Sequence, residues 1–124
     1  MGNLEGIKAV SIRPFIGAKD FEVSRRFYNE IGFTEVVLEP RLSLFTLGEQ
    51  GFYLQDAYVK DWVDNTMVFF QVADVDQVWE NLSSIALSSK FETARLSPIR
   101  VEAWGRVCFL HDPSGILWQF GEFV

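Results

Sequence analysis

The sequence predicts an α+β fold: two tandem βαβββ modules forming a curved mixed sheet around a cavity, with the helices on the outer face. Three observations carry this. First, an aspartate placed as a helix N-cap occurs at Asp20 and again at Asp74, and the same shift of 54 residues carries Arg13 onto Met67. Second, helical spacing follows each aspartate, with Val23, Phe27 and Ile31 in the first case and Val75, Val78, Trp79 and Leu82 in the second. Third, strand-like runs follow each helix, the last two forming a hairpin around Asp112-Pro113-Ser114-Gly115.

Taken in order, Ala9 to Gly17 is an apolar first strand that Pro14 places at an edge or bulge. Gly32 is placed to stop the first helix. Phe33 to Glu39, Leu42 to Leu47 and Phe52 to Gln55 supply three further strands, with Gly48 to Gly51 as a turn. Asp56 to Thr66, carrying Tyr58 and Trp62 among three aspartates, reads as a linker. Met67 to Val72 restarts the pattern, the second helix fades through Ser83 to Ser89, and the strand in Phe91 to Ala103 is the least regular element. In the final hairpin Pro113 sets a turn φ, Asp112 can accept hydrogen bonds from the following backbone, and Gly115 suits a positive φ. Strand alternation then puts Gln119 on one face and Trp118 and Phe120 on the other, beneath the helices. The expected organisation is one domain over residues 1–124, with modules at 8–56 and 66–124.

Composition narrows the function. Apolar residues at 48% and charged residues at 23% suit a globular chain, while 15% aromatics, including twelve Phe and four Trp, exceed the usual need of one small core. Some rings are therefore expected at a cavity or interface, each with an alternative place in the core. Seventeen acids against eleven bases, a net charge of −6, argue against nucleic acid and permit a cationic ligand. The single Cys108 excludes an internal disulfide and reads as an inert core thiol in a reducing compartment. Met1 to Val10 lacks the pattern of a signal peptide, and no apolar run reaches the length of a membrane span, so a cytoplasmic protein without a membrane partner is expected. His111, the only histidine, is expected to cap or hydrogen-bond within the hairpin turn and is assigned no catalytic role.

Gly17-Ala18-Lys19-Asp20 with Phe27-Tyr28 and Gly32-Phe33, the run Phe70 to Asp76, and Trp104-Gly105-Arg106 leading into Asp112-Pro113-Ser114-Gly115 resemble the vicinal oxygen chelate superfamily of glyoxalases, bleomycin-resistance proteins and extradiol dioxygenases. The resemblance spans about residues 8 to 123 and specifies fold better than reaction. It implies metal-ligand positions at Arg13, Gln55, Met67 and Gln119. Those residues do not suit a catalytic dication, which wants carboxylate or imidazole donors. At roughly 4 Å and an effective dielectric near 20, like unit charges repel by about 4 kcal/mol, and a dication beside Arg13 roughly doubles this.

The chain thus resembles the metal-free, bleomycin-resistance-like members most. That resemblance implies a cytoplasmic homodimer of the antibiotic-resistance type, with no cofactor, that sequesters a bulky aromatic and possibly cationic molecule in grooves between subunits. Its expected ligand-binding residues are Arg13, Phe15, Tyr53, Gln55, Trp62, Met67, Phe69, Trp104 and Gln119, with Asp56, Asp61 and Asp64 suited to a cation. Arg13 has the alternative of pairing with a carboxylate to hold the sheet. The alternative function is a glyoxalase-like lyase or isomerase with other ligands or with acid–base chemistry at Tyr53 or His111.

Overall fold

A computed structural model describes residues 2–124. The first half folds as β1 (Phe15–Gly17), α1 (Phe21–Ile31), β2 (Thr34–Glu39), β3 (Leu42–Leu47) and β4 (Gln50–Gln55). After a short α2 (Lys60–Asp64), the second half folds as β5 (Met67–Gln71), α3 (Val75–Ser84), α4 (Leu87–Lys90), β6 (Arg95–Leu96), β7 (Arg100–Glu102), β8 (Gly105–His111) and β9 (Leu117–Phe123).

Both helix starts follow from their aspartates. Asp20 Oδ1 accepts from Val23 N at 3.2 Å, and Asp74 Oδ1 accepts from Gln77 N at 3.2 Å, satisfying one free N–H at each start. Gly32 ends α1 at φ 115°, a conformation that a Cβ would strain.

The strands form two mixed sheets, one from each half of the chain, as the two-module fold expects. One has the order β1-β4-β3-β2 and the other β5-β9-β8-β6, with β7 also paired to β8. Each sheet has one parallel pair, β1 with β4 and β5 with β9, and the remaining pairs are antiparallel. The first strand is shorter than expected, covering Phe15–Gly17, because residues 9–14 join no ladder. Pro14 has no N–H to give, and its carbonyl accepts from Tyr53 N at 2.9 Å where the ladder begins. The strand after α3 is split into β6 and β7 by Ser97-Pro98-Ile99, where Ser97 Oγ, with its own backbone, ties to Phe109. The linker contains α2, and the serine-rich tail of α3 contains α4.

Helices cover one face of the strands. Ile16, Phe45, Phe52 and Leu54 of the first sheet and Cys108, Leu110, Trp118 and Phe120 of the second are buried with Phe27, Tyr28, Val75 and Leu82 of the helices in one core. The Asp-Pro-Ser-Gly turn is pinned from inside. Asp112 Oδ1 accepts from Ser114, Gly115 and Ile116 N, each at 2.9 Å, while Asp112 Oδ2 accepts from Tyr28 Oη at 2.6 Å. Trp118 Nε1 in turn donates to Tyr28 Oη at 2.9 Å. This satisfied network connects α1 to the hairpin at the other end of the chain. Among the described residues, no helix is long and apolar enough to cross a membrane.

Candidate ligand-binding site

The faces turned away from the helices carry most of the expected site residues, but on two separate sheets. On the first, β1 alternates, so Ile16 is buried and Phe15 is 57% exposed. Phe15 lies directly opposite Tyr53, and their rings stack with centroids 4.8 Å apart. Gln55 lies opposite Gly17, where the linker crosses close by: a Cβ on Gly17 would meet the Ala57 carbonyl oxygen at 2.6 Å. At the other end Arg13 lies across the sheet at Gly51, its Nε 3.3 Å from where a Gly51 Cβ would stand. The missing side chain makes the room the guanidinium uses. Arg13 Nε is buried without a hydrogen-bond partner, and Arg13 enters no ion pair among the described residues, so the sheet-holding carboxylate pair is absent there.

On the second sheet Met67 and Phe69 face outward, 60% and 42% exposed. Phe69 lies opposite Gln119, whose Nε2 donates to Met67 Sδ at 2.7 Å. The space over Gly121 is filled by two rings, since a Cβ there would meet Phe69 Cζ at 2.6 Å and Trp104 Cη2 at 3.1 Å. Phe69, Trp104 and Phe123 form a three-ring cluster with centroids 5.2 to 5.7 Å apart. Phe123 was not anticipated, although its parity with Gln119 in β9 was readable. Trp62 stands apart on α2, 72% exposed.

Strand register changes one expected equivalence. Phe15 lies opposite Tyr53 just as Phe69 lies opposite Gln119, while Gly17 lies opposite Gln55 and Gln71 opposite Gly121. Tyr53, not Gln55, is therefore the counterpart of Gln119, and the matched set is Arg13, Tyr53, Met67 and Gln119. Counting along a strand could not find this, because register is set by pairing. The set fits a divalent metal no better than before: it offers a cation, a phenol, a thioether already engaged by an amide, and that amide. Elsewhere, Asp74, Asp76 and Glu122 come close together, but Arg106 holds Asp76 in a bidentate pair at 2.8 Å and Glu122 accepts from Val75 N.

The electrostatics also differ from expectation. Asp56 pairs with Arg41 and Asp64 with Lys60, so two of the three acids proposed for a cationic ligand are already engaged. His111 does not cap the turn, a part taken by Asp112. It is exposed and lines a hollow of about 340 Å³ with Lys19, Arg95 and Ser114. Cys108 is fully buried, and burial pushes its thiol up to about 11, so it has no nucleophilic character.

A larger hollow of about 640 Å³ opens between the two sheets, against Ile12, Pro14, Phe33, Gly51, Phe70 and Trp118. Of the nine expected site residues only Phe69 lines it. A single chain therefore presents the Phe15–Tyr53 stack and the Phe69–Trp104–Phe123 cluster as two separate exposed aromatic groups on different sheets.

No protein-family model and no characterised protein matches the chain by sequence. Comparison of structures is informative. The bleomycin-binding protein of Streptomyces verticillus, complexed with copper(II)-bleomycin, superposes with a TM-score of 0.80 at 18% identity, over 95% of this chain and 99% of that one. An antibiotic-binding protein from Streptomyces sp. CB03234 gives 0.73 at 17% identity, covering 96% and 98%. A lactoylglutathione lyase from Agrobacterium tumefaciens gives 0.69 at 19% identity, covering 92% and 94%. The fold is thus the one these bleomycin-binding, antibiotic-binding and lyase structures share. At these identities the likeness carries the architecture, which binders and lyases share.

Proposed function

We propose that this protein binds and sequesters an aromatic small molecule without transforming it, and that two copies close the site. The observation that carries the proposal is the pair of open aromatic half-sites, Phe15 with Tyr53 on one sheet and Phe69 with Trp104 and Phe123 on the other. Rings left exposed on a sheet face are suited to stacking against a planar guest, each contact contributing about 0.5–1.5 kcal/mol beyond area burial. In the proposed homodimer the first sheet of one copy faces the second sheet of its partner, making two equivalent grooves. Exposed Val36, on the same face as Tyr53, adds apolar surface for such a contact. The neighbouring folds that bind bleomycin and another antibiotic support this reading at the level of architecture. The absence of a matched donor set in Arg13, Tyr53, Met67 and Gln119 favours holding over metal-assisted chemistry. The unpaired Cys108 supports a reducing compartment such as the cytoplasm.

The test is a thermal-shift screen of aromatic antibiotics, combined with native mass spectrometry of untreated protein. Binding raises Tm in step with RT ln(1 + [L]/Kd), and the untreated protein is a dimer. A flat response across the panel at high excess, or a stoichiometric metal lost together with a lyase activity, would overturn the proposal.

A further inference from the structure

We infer that the bound molecule carries an anionic oxygen group, a carboxylate or its equivalent, which Arg13 receives. This deepens the binding function proposed above and rests on it.

Arg13 is the only charged residue among the nine expected to bind ligand, and its surroundings leave that charge unanswered. Its Nε is buried without a partner, and its terminal nitrogens form no hydrogen bond or ion pair among the described residues. Buried polar groups are nearly always paired, so an orphaned guanidinium nitrogen marks a place where a partner belongs. The backbone reinforces this. Gly51 keeps the space that the guanidinium occupies, and the Phe45 carbonyl oxygen, 2.8 Å from where a Gly51 Cβ would stand, bounds it from below. The remaining expected residues, Phe15, Tyr53, Gln55, Met67, Phe69, Trp62, Trp104 and Gln119, carry no carboxylate. Two of the acids expected to meet a cation are committed elsewhere, Asp56 to Arg41 and Asp64 to Lys60.

A planar fork of donors matches a carboxylate, and Arg holds it with less loss of freedom than Lys. The neighbouring Phe15–Tyr53 stack would hold an aromatic body while the fork takes the acid. The overall charge of −6 opposes an anion at long range, but at physiological salt that field is screened within roughly 8 Å, which leaves the local guanidinium dominant.

The experiment uses three fluorescent probes that share one ring system and differ in the head group: pyrenebutyrate, pyrenebutanol and pyrenebutylamine. Their affinities for the full chain are measured by fluorescence anisotropy at about 0.15 M salt. The butyrate is expected to bind about ten- to a hundredfold more tightly than the alcohol, the range of one charge-assisted hydrogen bond, with the amine weakest. In Arg13→Gln the butyrate should lose its advantage and bind no more tightly than the alcohol. Arg13→Lys should keep part of the preference, and it serves if the glutamine variant does not fold. Equal binding of all three probes, a preference for the amine, or a butyrate preference that survives Arg13→Gln would overturn the inference while leaving the binding function standing. If none of the probes binds, the inference falls, while the binding function stands or falls on the thermal-shift screen of antibiotics.

Discussion

Tyr28 on α1 donates its phenolic hydrogen to Asp112 Oδ2 at 2.6 Å, joining residues 84 positions apart in a fully buried setting. Burial, then the nearby Asp112 charge, pushes the Tyr28 phenol well above its ordinary range, so it stays a donor. Burial also pushes the Asp112 carboxyl up, against hydrogen bonds from Tyr28 and from the Ile116, Ser114 and Gly115 backbone that pull it down. Tyr28 thus serves as both the donor to Asp112 and the acceptor for Trp118 Nε1, and it holds the hairpin turn to the first helix.

Removing that hydroxyl should be costly. Tyr28→Phe leaves a buried carboxylate oxygen and an indole N–H without partners, and a loss of about 2–5 kcal/mol is expected. Urea unfolding monitored by circular dichroism would read this as a lower midpoint with an unchanged slope. A loss below about 0.5 kcal/mol would show that the network is dispensable.

Glu35 predicts a specific acid sensitivity. Burial pushes its carboxyl up, but hydrogen bonds from Arg25, Ser43 and Asn29, together with the Arg25 charge, outweigh burial and hold it below the usual carboxylate range. A carboxyl lowered in the folded state contributes stability that is present above its unfolded pKa, near 4.3, and is lost as pH falls through the lower folded value. Glu35→Gln should therefore be less stable than the parent at neutral pH and converge with it as the pH falls through the lowered folded value. Parallel curves over that range would sink this assignment.

Cys108 should be silent to alkylation in the native protein. Its thiol is fully buried and raised to about 11. Iodoacetamide at about pH 8 should modify it slowly in buffer and rapidly in denaturant, as read by intact mass. Fast native labelling would mean that the second sheet opens locally at β8.

The two half-sites predict complementation between subunits. Phe15→Ala and Phe69→Ala should each weaken aromatic ligand binding by about 0.5–1.5 kcal/mol. Both rings are substantially exposed, 57% and 42%, so stability should change little. If the faces of different copies meet, a mixed dimer of the two variants has one doubly altered groove and one intact groove. Mixing and reannealing should restore wild-type affinity at one of the two grooves of each mixed dimer, about a quarter of all sites in a statistical mixture, measured by ligand titration. No recovery would place both faces in a site within one chain.

Much of this architecture was readable where the deciding interactions lie within a few residues. Asp20 and Asp74 cap helices through the backbone three positions on, Gly32 ends α1, and Asp112 organises the turn that follows it. Period-two alternation correctly set Gln119 apart from Trp118 and Phe120. These are short-range consequences of backbone geometry and are present in any strand or helix these residues form.

Tertiary structure alone decided how the strands meet. It split the strand at Pro98 and matched Tyr53 rather than Gln55 with Gln119. It also set Arg13 over Gly51 and brought Tyr28 to Asp112. Strand register and packing depend on partners far along the chain, and local periodicity holds no information about which distant residue will lie opposite. The chemistry of the half-sites was therefore written in the sequence residue by residue, while their division between two open faces came from long-range pairing.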